Sequence, residues 1–222
     1  LLIEEALGGG IFRLTLNRPE RKNALSVALR DAVTAALNRI NGSADAKVVI
    51  LTGAGGAFSA GFDLKEFERA ASDPAFERAL WLSSDLYHQA LLYFPLPIVA
   101  AVPGVAFGGG FDTAVLCDIC IAGESARFAH PEAAFAEVVY APLQERIGGA
   151  AARDLCLTGR EVRSEEALRL GLVSRVVPDE ELAGEAFLAA QAIARSPRAV
   201  LLGTKAKIIR RAGISFTATL AL

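Results

Sequence analysis

IVAAVPGVAFGGGFD, residues 98–112, decides how the rest of this chain is read. Ile98 to Val102 make a short apolar run, suited to a buried strand, that breaks at Pro103-Gly104. Three consecutive glycines, Gly108, Gly109 and Gly110, then lead into FDTAVLCDICIA, which reads as a buried helix followed by a strand. A helix opened by glycines presents backbone N–H groups that no side chain shields, at the positive end of the helix dipole. Such a place suits an oxygen that carries or develops negative charge, and Asp112 follows within one turn. Two readings stand at this point. In one, donors and carboxylate form a catalytic arrangement. In the other, the glycines only let helix and strand pack closely, and Asp112 satisfies the helix N-terminus.

Composition narrows the classes. A chain of 222 residues with 53% hydrophobic residues can bury a large core. Its formal net charge of -2 argues against nucleic acid as the main partner. Pro and Gly interrupt every apolar stretch before the roughly 18 residues that a membrane-spanning helix needs, and no secretory leader pattern is present. Cys117, Cys120 and Cys156 do not make a disulfide framework, so a reducing cytoplasm is the expected home.

Outward from the opening stretch, strands and helices alternate, which makes this an α/β chain. IFRLTL (11–16) and KVVILT (47–52) read as strands, and Ser26 as the N-cap of a helix carrying Leu29, Val33, Leu37 and Ile40. The loop GAGGAFSAG (53–61) opens a second helix at Phe62 or Asp63, and Asp73-Pro74 opens a third that runs to Tyr93. Further on, Ala126–Phe128 and a turn at His130-Pro131-Glu132 precede helices at 143–157 and 164–169, and Val173–Val177 is a last strand. LAGEAFLAAQAIA and PRAVLLGTKAKIIRRA close the chain as two amphipathic helices. Residues 1–178 are thus expected to form the core domain, and 179–222 a C-terminal helical segment.

Common glycine-loop chemistries do not fit. GAGGAF (53–58) has Phe58 where a dinucleotide fingerprint needs its third glycine, and it lacks the Lys-Ser/Thr end of a phosphate-cradling loop. Cys117-x-x-Cys120 stands alone in an apolar run, and His88 and His130 lack neighbours at metal-site spacing, so no metal or redox role is expected. With two histidines and no G-x-S-x-G, no serine triad assembles.

Four stretches in order resemble the enoyl-CoA hydratase/isomerase (crotonase) family: LTLNRPERKNALS (14–26), VVILTGAGGAFSAGFDLKEF (48–67), PIVAAVPGVAFGGGFDTAVLCDICIA (97–122) and ARFAHPE (126–132). A fainter echo, LTGREVRSEEALRLGLVSRVV, continues over residues 157–177. The resemblance implies a crotonase-like spiral of repeated β-β-α units, assembled as homotrimers or homohexamers, with further helices after the KAKIIRR helix. It implies an acyl-CoA thioester as substrate and no cofactor, coenzyme A arriving with the substrate. It places the two backbone donors for the thioester oxygen at Phe62 and Gly109. It sets Arg21, Lys22, Ala24 and Leu25 of the first loop, and Ala60, Asp63, Leu64 and Lys65 of the second, along coenzyme A.

In hydratases of the family two glutamates flank the double bond; the matching positions here hold Asp112 and Glu132. Glu132 would move the α-carbon proton and Asp112 would hold and deprotonate the attacking water, each with a pKa raised by partial burial. Aspartate is one methylene shorter, so double-bond isomerisation by Glu132 alone stays open, as does a non-catalytic acyl-CoA-binding homologue. VVYAPLQERIGG around Tyr140 replaces the family's Gly-rich segment, leaving Tyr140 either a pocket residue or a packing aromatic. Phe62, Phe67, Trp81, Phe107 and Phe135 are open to the same two readings.

Overall fold

Two sheets and nine helices wind into a spiral in the computed structural model, which describes residues 1–222. Strands β1 (Leu2–Ala6) and β2 (Ile11–Leu16) pair antiparallel. From β2 the large sheet continues in parallel through β3 (Val48–Gly53), β4 (Ile98–Val102), β6 (Ile119–Gly123) and β9 (Arg175–Val177). The small sheet sets β5 (Val105–Phe107) parallel to β7 (Arg127–Ala129), with β8 (Val162–Arg163) antiparallel beside β7. Two successive turns therefore give one strand to each sheet before a helix: β4 and β5 before α4 (Gly109–Leu116), then β6 and β7 before α5 (Ala141–Ile147). This is the β-β-α repeat that the resemblance implied.

The apolar runs of β3 and β4 are buried on both faces, as interior strands of a parallel sheet must be. The inner face meets α1 (Val27–Gly42), α3 (Pro74–Leu92) and α4, with Leu29, Val33, Leu37 and Ile40 of α1 in the core. Ser26 caps α1 by accepting the Leu29 N–H at 3.3 Å, and Asp73 caps α3 by accepting that of Phe76 at 3.0 Å. On the outer face Val48, Ile50, Val99, Ala101 and Ile121 pack against Leu182, Ala186, Ala189 and Ala190 of α8 (Leu182–Ala194). Helix α8 thus shares a core with the strands across the expected boundary at residue 178.

Several expectations shift. The helix expected at 143–157 is two, α5 and α6 (Gly149–Thr158), because Gly148 stands between them with φ 79°. The second helix, α2 (Leu64–Ala70), starts after Asp63, which is its N-cap. The last strand shortens to β9, after α7 (Ser164–Leu170). Strands β1, β5 and β8 went unforeseen; β5 and β8 have three and two residues, too few to show a period. No helix is long and apolar enough to cross a membrane. The three cysteine thiols are free and buried, and burial pushes that of Cys120 up to about 12.

One buried ion pair ties the last helix, α9 (Arg198–Ala212), to the sheet. Lys205, 3% exposed, donates to both oxygens of Asp118 at 2.5 and 2.6 Å, and Asp118 also accepts the Ile98 N–H at 2.8 Å where β4 begins. Removing one partner of such a pair leaves the other charge uncompensated. Lys205→Met should therefore destabilise the fold by about 3 kcal/mol in urea denaturation. The double variant Asp118→Asn/Lys205→Met should recover most of that loss; a single variant as stable as the parent would show that the pair holds nothing.

Candidate active site

Three loops are drawn together by a short set of hydrogen bonds. Asn23 is fully buried, with φ 54°, and its side-chain amide donates to the carbonyls of Ala54 and Ala57 at 2.9 and 2.7 Å. Its carbonyl oxygen accepts the Arg18 N–H at 2.8 Å. Backbone bonds from Ala60 to Lys22 and from Leu25 to Gly61, at 2.8 and 2.7 Å, zip the first loop to the second. Arg18 adds a charged clamp, donating to the Ala24 carbonyl at 2.6 Å and to Asp63 at 2.9 Å. The second loop in turn joins β5, for Phe107 donates to the Ser59 carbonyl at 2.9 Å. Neither Arg18 nor Asn23 was singled out from the sequence, although both stand in the quoted NRPERKN segment.

This framework sets the two expected donors side by side. A Cβ built on Gly61 (φ 90°) would lie 2.7 Å from the Phe107 carbonyl oxygen and 3.4 Å from the Gly109 nitrogen, so only glycine lets the loops approach this closely. Gly109 is the first residue of α4, and neither its N–H nor that of Phe62 donates to a protein acceptor. The Phe62 ring lies against Gly109, stacks on Phe67 at 6.0 Å, and carries the Arg30 guanidinium 4.6 Å from its centroid. Arg30 is fully buried and donates to the carbonyls of Leu25 and Leu80 and to Ser83 Oγ. Phe67 continues the aromatic row to Trp81 at 6.0 Å, whereas Phe135 points to solvent, 77% exposed.

The acid–base groups come next to these donors from two elements. Gly108 (φ 51°) donates to the Ala129 carbonyl at 2.9 Å, which brings the start of α4 beside the end of β7 and the tight turn at Pro131–Ala134. A Cβ on Gly108 would stand 3.0 Å from both carboxylate oxygens of Glu132. Burial pushes the Glu132 carboxyl above the usual carboxylate range.

Asp112 departs from the capping reading. It does not cap α4; its Oδ1 accepts a hydrogen bond from His130 Nε2 at 2.8 Å, with the two side chains 9% and 1% exposed. Burial alone would drive His130 neutral, but the Asp112 charge and hydrogen bond outweigh it and push the ring's pKa up to about 10. Asp112, His130 and Glu132 offer atoms within 4.8 Å of one another, which corrects the view that His130 has no such neighbours. A protonated ring has no lone pair for a cation, so proton chemistry suits the trio better. What hid this from the sequence is distance: His130 and Asp112 lie 18 residues apart.

The remaining expected contacts are mixed. Arg21, Lys22, Ala60, Leu64 and Lys65 are exposed around the zipped loops, with none of the three cations in an ion pair. Asp63 is held by Arg18. Leu25 is fully buried in the core, so its side chain cannot meet a ligand. Tyr140 precedes α5, half-buried against the main core, and its hydroxyl makes no hydrogen bond to the trio.

In this spiral two bare backbone donors, of Phe62 and Gly109, lie near a carboxylate pair of which Asp112 is buried and Glu132 half-buried. The family profile for enoyl-CoA hydratase/isomerase matches residues 7–219. A probable mitochondrial enoyl-CoA hydratase of Dictyostelium discoideum is 40% identical over 190 residues, spanning 84% of this chain and 67% of that protein. The crystal structure of an enoyl-CoA hydratase from Bacillus anthracis superposes with a TM-score of 0.89 at 32% identity, over 96% of this chain and 84% of that one. A monofunctional enoyl-CoA isomerase from M. smegmatis superposes with a TM-score of 0.82 at 31% identity, over 96% and 94%. The chain belongs to the enoyl-CoA hydratase/isomerase family.

The His130–Asp112 pair has a consequence for stability. The pKa of His130 is raised in the fold from 6.5 to about 10, so its contribution is complete below the lower value and is lost as pH rises through the higher. Between these pH values the denaturation midpoint of the parent protein should fall more steeply than that of His130→Gln. Parallel slopes would mean that the ring is neutral in the fold.

Proposed function

We propose that the protein is an enoyl-CoA hydratase, adding water across the 2,3 double bond of an acyl-CoA thioester. The observation that carries this reading is the pairing of Glu132 and Asp112 within 4.8 Å, beside the bare N–H groups of Phe62 and Gly109. The thioester oxygen accepts from both N–H groups, which hold the negative charge it takes on as the enolate forms. Asp112, anchored through Oδ1, keeps its other oxygen for the attacking water and takes the proton that water loses. The water oxygen bonds to C3, the double-bond electrons move towards the thioester, and Glu132 delivers its proton to C2. One proton passing from Asp112 back to Glu132 restores the starting state.

Arg21, Lys22 and Lys65 supply exposed positive charge for the phosphates of coenzyme A, and Ala24, Ala60, Asp63 and Leu64 supply the loop surface for its adenine and pantetheine. Coenzyme A enters with the substrate, so no separate cofactor is invoked. Exposed Leu82 and Leu86 on α3 and Leu188 on α8 support an assembly of three or six copies. The three free thiols suit a cytoplasmic setting.

A second reading, enoyl-CoA isomerase with Glu132 as the sole proton shuttle, is favoured by the commitment of Asp112 Oδ1 to His130. Substitution separates the two. Glu132→Gln should lower turnover at least about a hundredfold in either case, with KM little changed. Asp112→Asn should cripple hydration of a short 2-enoyl-CoA yet spare conversion of the 3-enoyl to the 2-enoyl thioester if the protein isomerises. Both reactions are followed by the absorbance of the conjugated thioester. A parent protein silent on both substrates would defeat the hydratase reading for simple fatty acyl groups.

A further inference from the structure

We propose that His130 is a positioning residue that divides the labour of the two carboxylates. Its ring holds Asp112 in one orientation through Oδ1 and balances its charge, so that without substrate the proton shared by the pair rests on Glu132 and Asp112 receives one only from the attacking water. The inference deepens the function proposed above and rests on it only in giving Glu132 the substrate proton.

Two carboxylates this close, one buried and one half-buried, would ordinarily share one proton between them. Neither would then have a settled role, because the proton could sit on either. A cation bonded to one of them breaks the tie. The 2.8 Å separation of His130 Nε2 and Asp112 Oδ1 lies in the range of charge-assisted bonds, and both side chains are shielded from solvent. Packing leaves the ring little freedom, for the Phe111 ring lies 4.7 Å from it, inclined by 31°.

The neighbours on every side leave His130 as the cation that can do this. Helix α3 turns Tyr87 and His88 towards Asp112. Burial holds the Tyr87 phenol in its neutral form, and the phenol is hydrogen-bonded to Thr113 Oγ1 at 2.9 Å. Burial likewise drives the pKa of His88 down, and its Nδ1 faces the Ser84 carbonyl at 2.9 Å. Arg30 spends its guanidinium on Leu25, Leu80 and Ser83, and the charges that bear on it are those of Glu66 and Asp31. On α6 the Cys156 thiol donates to the Val139 carbonyl at 3.6 Å, and His130 Nδ1 has no hydrogen-bond partner. The only other charge facing the ring is Glu132 itself.

The test reads the titration of Glu132 directly, in the full chain without substrate, by carboxyl 13C NMR, its resonance assigned by loss in Glu132→Gln. His130→Gln keeps a donor for Asp112 but removes the positive charge. It should raise the Glu132 midpoint by about one pH unit or more, since an uncompensated like charge now faces it. Asp112→Asn/His130→Gln removes both charges and should bring the midpoint back to that of the parent. An unchanged midpoint in His130→Gln, or no return in the double variant, would overturn the proposal. If His130→Gln does not fold, imidazole 15N NMR carries the test, with only His88 and His130 to assign. His130 should then remain protonated at pH 8 in the parent and titrate below that pH in Asp112→Asn; a neutral ring at pH 8 in the parent overturns the proposal equally. Because neither measurement needs turnover, a protein inactive in the paired assay but showing these shifts would lose the hydratase reading and keep this one.

Discussion

Everything at this site depends on two backbone N–H groups, of Phe62 and Gly109, being left without protein partners at one point in space. A buried donor without an acceptor is ordinarily destabilising, so the surrounding structure has to hold it there. Here the holding is done by other backbone groups. Asn23 satisfies two carbonyls of the second loop, Ala60 and Leu25 zip that loop to the first, and Phe107 binds Ser59. The glycines follow from the same need, since the approach of Gly61 to Phe107 and Gly109 leaves no room for a side chain. Small residues here reflect how close two loops must come before their donors can converge on a single oxygen.

That constraint explains what was legible in the sequence. The glycine triplet, the AGFD turn and the strand before each could be read directly, because close backbone approach leaves a compositional mark. The buried strands β3 and β4 and the face of α1 showed themselves through period and length. What stayed hidden was contact between distant positions. His130 stands in the quoted ARFAHPE stretch but looked like a lone histidine, because its partner lies on another spiral turn. Arg18 and Asn23 looked like ordinary turn residues, since nothing local shows which carbonyls a folded loop will present to them. The split at Gly148 was masked by apolar residues on both sides of it that continue a helical period.

Charge placement completes the design. Arg30 is buried beneath Phe62 with its guanidinium hydrogen-bonded to the Leu25 and Leu80 carbonyls, so it supports the ring that borders the donors. Asp118 and Lys205 compensate one another at the far end of α4. These pairings confine each of these charges to its own neighbourhood.

The shorter side chain at position 112 takes on a different meaning in this setting. Read as a deficient glutamate, aspartate would hold its carboxylate too near the helix to reach a water. In the fold, that same short reach sets Oδ1 against His130, with Glu132 within 4.8 Å of both. A carboxylate with one oxygen tied to an imidazole is a better-oriented acceptor, because the bond removes rotational freedom. Aspartate with histidine is therefore a two-residue answer to a problem of placement: the helix supplies the anion and the neighbouring strand end supplies the group that aims it. Under the proposed division of labour, the same bond answers the charge that would otherwise force the two carboxylates to share a proton.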